Sequence, residues 1–86
     1  MNTAQTIEAK LRAAFAPALL EVIDESHQHA GHSGWREGGE THFRVRMKAA
    51  AFGEMSRVAR SRAVHAALAE ELAGGVHALA LELDAA

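Results

Sequence analysis

The stretch "THFRVRMK", residues 41–48, alternates without a fault. Phe43, Val45 and Met47 fall on one side, and His42, Arg44, Arg46 and Lys48 on the other. Successive strand side chains point to opposite faces, so this reads as a half-buried β-strand whose outer face is basic. Such a strand needs paired neighbours and a covering layer. Upstream, "LLEVIDES" (residues 19–26) is rich in aliphatic and β-branched residues and reads as a second strand. Between the two lies a run holding Gly31, Gly34, Gly38 and Gly39, which is loop chemistry. Downstream, "VHALALELD" (residues 76–84) closes the chain as a third strand. Its alternation places His77, Leu79, Leu81 and Leu83 on one face and Val76, Ala78 and Ala80 on the other.

Two remaining segments are helical. In "TAQTIEAKLRAAFAP" (residues 3–17), Ile7, Leu11 and Ala14/Phe15 recur at helical spacing, with Thr3 or Thr6 to cap the start. Pro17 ends that helix, because a proline pushes the preceding residue out of helical geometry. "AAAFGEM" (residues 49–55) is a connector broken at Gly53. From a Ser56 cap, the stripe Val64, Leu68, Leu72 runs through residue 72, and Gly74-Gly75 supply the stop. The order is helix, strand, strand, helix, strand. It predicts an α/β (α+β) fold over residues 1–86 as a single domain: a two-layer sandwich, a three-stranded mixed sheet with helices on one face. The strand–helix–strand portion predicts a parallel crossover.

Composition narrows the function. With 86 residues the chain holds one modest core, and its apolar and charged fractions are those of a globular protein. There is no cysteine, so neither a disulfide nor a thiolate metal site can be built by this chain alone. A net charge of −2 gives no general attraction to nucleic acid or anionic lipid. No apolar run approaches the ~20 residues of a membrane span. With a starting Met1 and no basic-then-apolar leader, the expectation is a cytoplasmic protein. No nucleophile elbow, phosphate loop or metalloprotease helix is present, and a domain this small has little volume for a deep pocket, so no enzyme is expected.

The histidines stand out. "ESHQHAGHSGWREGGETHF" (residues 25–43) carries His27, His29, His32 and His42. Read by spacing, His27, His29 and His32 are a solvated polar loop. A zinc site built from them is disfavoured by a glycine-rich loop that does not preorganise its ligands. His42 lies on the polar strand face beside Arg44 and reads as structural or as part of a surface contact. His77, in phase with Leu79 and Leu81, reads as a core-edge histidine bonded to a backbone carbonyl. His65 lies off the apolar stripe of the second helix and is expected to be exposed. Trp35, the only tryptophan, has two open readings: a loop anchor, or an aromatic offered to a partner.

The blocks "LEVIDES", "GGETHFRV", "AFGEMSRVARSR" and above all "LAEELAGGVHALALEL" resemble the BolA family in order and spacing over nearly the whole chain. The resemblance implies a type II KH-like arrangement with a helix–turn–helix-like stretch before the last strand. It further implies a BolA-like adaptor for a monothiol glutaredoxin partner, sharing a [2Fe–2S] cluster in iron–sulfur cluster assembly or iron regulation. On that resemblance the metal ligands are His77 and either His29 or His32, an alternative the longer loop leaves open. Imidazole stands in for thiolate on one iron of Rieske-type centres, so the chemistry is coherent. A chain without thiols binds no such cluster alone. Glutaredoxin cysteine and glutathione would supply the sulfur, and the free chain is expected to be a monomer or weak homodimer. Ser61 stands where the family commonly has a histidine.

The resemblance also implies a second function, a DNA-binding transcription regulator. Its candidate residues are Arg57, Arg60 and Arg62 at the start of the second helix, beside the basic strand face of Arg44, Arg46 and Lys48. The competing reading is a solvated face paired with glutamates. No aromatic residue is interleaved for base stacking, and "FGEMS" is not the GXXG loop of an RNA clamp.

Overall fold

The structure, a computed structural model, describes residues 2–26 and 39–86. The alternating stretch forms the middle strand of the sheet. Strand β1 (Leu19–Asp24) pairs antiparallel with β2 (His42–Lys48), and β2 pairs parallel with β3 (Ala78–Asp84), giving the order β1-β2-β3. The register sets Leu20 opposite Met47, Val22 opposite Val45, Phe43 opposite Leu79 and Val45 opposite Leu81. One continuous apolar face results, and the parallel β2–β3 pair confirms the expected crossover.

Helices cover that face. Helix α1 (Thr3–Phe15) buries Ile7 and Leu11, one turn apart, and α2 (Arg57–Ala67) buries Val64. Phe43, Val45, Met47, Phe52 and Leu68 complete the centre of the core, with Leu79, Leu81 and Leu83 packed against it. Phe52 reaches the core from a single 3-10 turn, Ala50–Phe52, and its ring meets Phe15 at 5.1 Å between centroids. Among the described residues no helix is long and apolar enough to cross a membrane.

Three local expectations change. Neither Thr3 nor Thr6 caps α1. The Asn2 side chain accepts from Gln5 N at 2.8 Å, and the Gln5 side chain accepts from Asn2 N at 3.0 Å, a reciprocal capping box. The long second helix is broken: α2 ends at Ala67 and a short α3 (Ala69–Gly74) follows, with Leu68 between them at φ −107°, ψ 20°. Neither glycine nor proline marks that break. Leu68 is fully buried at this break. The last strand starts at Ala78, so the alternation does not extend to Val76 and His77. Val76 is buried and His77 exposed, the reverse of their predicted faces.

Phe52 is fully buried and reaches the core from the 3-10 turn. Phe52→Ala is expected to cost about 3–5 kcal/mol, while Val58→Ala, at an exposed position, costs within about 0.5 kcal/mol. Urea unfolding midpoints at constant m-value check both.

Candidate functional site

The chain is pinched where β1 leaves the sheet and β2 enters it. Asp24 Oδ1 accepts from the backbone N–H of Ser26 (2.9 Å) and from its hydroxyl. The buried Ser26 Oγ accepts in turn from Thr41 N (2.9 Å) and His42 N (3.1 Å). Asp24 Oδ2 accepts from Glu40 N (3.1 Å), and the Glu40 carboxylate accepts from Thr3 N (2.8 Å) at the start of α1. Gly39 and Glu40 both take positive φ, 80° and 64°, to make the turn. A Cβ on Gly39 would sit 3.2 Å from Asp24 Oδ2, so the close approach as well as the dihedral favours glycine. This neck holds together the residues that flank positions 27–38.

Thr41 connects the neck to the third strand. Its carbonyl accepts from His77 N (2.7 Å) and Ala78 N (3.2 Å), and its Oγ1 lies 2.9 Å from His42 Nδ1. The rings of His42 and His77 consequently meet, 5.3 Å between centroids and tilted by 53°. His77 is exposed and His42 is 6% exposed. Neither matches its expected surroundings. His77 is no core-edge residue: its backbone, not its ring, takes the carbonyl bond. His42 has the register of the outer face, yet it is buried, with its backbone N–H bonded to Ser26 and its ring against His77, contacts that no pattern within β2 could reveal. His29 and His32, the loop candidates, lie outside the described residues, as do His27 and Trp35. His65 is exposed as expected, its Nδ1–H donating to the Ser61 carbonyl at 2.8 Å.

The basic face is largely neutralised. Arg44 Nε pairs with Glu25 (2.9 Å), and Arg44 Nη1 and Arg46 Nε both reach Glu82 Oε2 at 3.1 Å. The Arg46 and Arg44 guanidiniums hold the Glu82 carboxyl below its usual range. In the helix, Arg60 is committed to structure. Its Nε donates to the Phe52 and Met55 carbonyls, both at 3.1 Å, and Nη1 donates to the Leu83 carbonyl at 3.0 Å. It clamps the connector and β3 to α2. Arg57 and Arg62 are exposed, but the groove that Arg57 and Arg60 line beside β3 also contains Glu82 and Asp84.

Ser26 is the residue that sequence reasoning missed; its one visible signal was a hydroxyl at the end of "LLEVIDES". Ser26→Ala strands two buried backbone N–H groups and is expected to cost about 2–4 kcal/mol. Ser56→Ala removes an exposed cap to Ala59 N and costs about 1 kcal/mol. Denaturant titration of the two variants side by side measures the difference.

With this geometry in hand, residues 11–86 match the family described as BolA-like protein. The chain is 50% identical over 76 residues to BolA-like protein 1 of Mus musculus, covering 88% of this chain and 53% of that protein; it thus spans about half that relative's length. It is 44% identical over 81 residues to the DNA-binding transcriptional regulator BolA of Escherichia coli, covering 94% of this chain and 73% of that protein. The fold superposes on the BolA domain of SufE1 from Arabidopsis thaliana with a TM-score of 0.89 and 39% identity, covering 99% and 93% of the two chains. The chain belongs to the BolA-like protein family.

Proposed function

We propose that this chain is a non-enzymatic adaptor that binds a monothiol glutaredoxin and places the His77 imidazole on an iron of a shared [2Fe–2S] cluster. The observation that carries the reading is the mounting of His77. An exposed imidazole stands at the entry to β3, its backbone bonded to Thr41, beside a pinched neck from which a histidine-bearing segment departs. Membership of a family that includes a domain of SufE1 gives the iron–sulfur context.

The donor set fits a shared group rather than a resident one. The chain has no cysteine, and among the described residues no group of three or more ligating side chains could hold a metal ion. His77 supplies one nitrogen, and His29 or His32 is the proposed second. The partner's cysteine and glutathione supply sulfur. When bound, the cluster contributes its iron and a redox potential that imidazole ligation raises relative to thiolate. The chain's own residues orient the donors: Thr41 sets the backbone of His77, and Ser26 with Asp24 fixes where the segment 27–38 begins and ends.

A second reading, binding of duplex DNA, is favoured by the name of the E. coli relative. It rests on the exposed Arg57 and Arg62. Arg60, spent on three carbonyls, does not serve it without loss of structure.

Mixing the protein with cluster-loaded monothiol glutaredoxin and following visible absorption and circular dichroism tests the adaptor reading. A new hetero-complex spectrum is expected, and His77→Ala should alter its shape or abolish it. An unchanged spectrum, together with salt-sensitive duplex binding that Arg57→Ala and Arg62→Ala weaken, would replace the adaptor by the regulator.

A further inference from the structure

Among the described residues, the ring of His77 makes no hydrogen bond and no ion pair; its ring neighbour is His42. An exposed histidine in that situation samples three staggered χ1 wells and about two ring orientations, on the order of six states. A ligand that must meet a partner-borne iron binds in only one of them. Metal-ligating histidines elsewhere are steadied by a second group that fixes the ring.

His42 is built to be that group. Its backbone N–H is held by the buried Ser26 hydroxyl, and its Nδ1 lies 2.9 Å from Thr41 Oγ1. Its position on β2 places it opposite Ala78, the residue after His77. With His42 6% exposed and its Nδ1 against Thr41 Oγ1, the ring cannot turn without breaking these contacts. It presents itself to His77 in a tilted contact at 5.3 Å, inside the ~4.5–7 Å range where ring pairs attract. Thr41 holds the backbone of His77 at one end, and His42 holds the ring at the other.

We propose that His42 is the positioning residue of the site, its buried and tethered ring keeping the exposed His77 imidazole in the single orientation in which a metal-bearing partner meets it. The inference rests on the reading of His77 as a ligand. It explains why a histidine stands on a solvent-register position of β2 and is nevertheless buried. His42 itself remains inside the fold and acts through His77.

The test separates the two claims. In the isolated, isotope-labelled chain, three-bond couplings about χ1 of His77 should show one dominant rotamer. They should average in His42→Ala and stay unaveraged in His42→Phe, which keeps a ring in contact and removes the nitrogens. In titrations with cluster-loaded monothiol glutaredoxin, His42→Ala should weaken the complex by about three- to sixfold, the population of the lost rotamer, and His42→Phe should return it to within about twofold. Averaged couplings in the unsubstituted chain overturn the proposal, and that measurement needs no variant to fold. So does a His42→Phe protein that folds but loses the complex as His42→Ala does, because a ring nitrogen rather than the ring's position would then be what matters. If His77→Ala leaves the complex unchanged while the couplings still respond to His42, the adaptor reading fails and the positioning contact stands.

Discussion

The backbone of Thr41 joins three parts of the chain that are far apart in sequence. Its N–H is taken by Ser26 from the end of β1, and its carbonyl takes the N–H groups of His77 and Ala78 at the start of β3. This is possible because β2 is the central strand, with neighbours on both sides. Residues at the head of a central strand have both edges committed, so their surroundings are rigid. The cost of breaking one such buried bond, about 1–3 kcal/mol, is large against the margin of an 86-residue domain. The backbones of His42 and His77 are held at this end by these bonds.

Much of the architecture could be read from periodicity. The alternation of Phe43, Val45 and Met47 against His42, Arg44 and Arg46 needs a sheet with one covered face, and the observed register pairs the apolar set with Leu20, Val22, Leu79 and Leu81. What periodicity could not supply is whatever a different strand or turn decides. Leu68 leaves helical geometry at a buried position, with no breaker residue to announce it. Val76 and His77 precede the ladder, so the two-residue rule does not apply to them. His42 obeys the rule in register and departs from it in burial, and its contacts with Ser26 and His77 come from residues 16 and 35 positions away. The resemblance of the "VHALAL" block pointed to His77 as a candidate ligand; its exposure was not legible.

Charge shows the same limit. A strand carrying Arg44, Arg46 and Lys48 looks basic when read alone. Within the sheet, Glu25 and Glu82 stand beside the arginines and form a network across the strands. Arg46 and Glu82 are about half exposed, so their pair adds little to stability, whereas the Arg44–Glu25 pair is part-buried. Arg60 is a second case. Its place in a basic helix suggests phosphate binding, and its three carbonyl partners show an internal clamp. A surface that is cationic in one dimension is balanced in three.

The account comes down to one bond, between a nitrogen of this cysteine-free chain and an iron that another molecule holds through sulfur. Pulsed electron–nuclear spectroscopy of the reduced hetero-complex addresses that bond directly, with 15N-histidine in this chain and an unlabelled glutaredoxin. The account predicts strongly coupled 15N signals, of which the one from His77 is lost when that residue is replaced by alanine. A reduced cluster showing only weak, through-space nitrogen couplings, the same with and without His77, would contradict it.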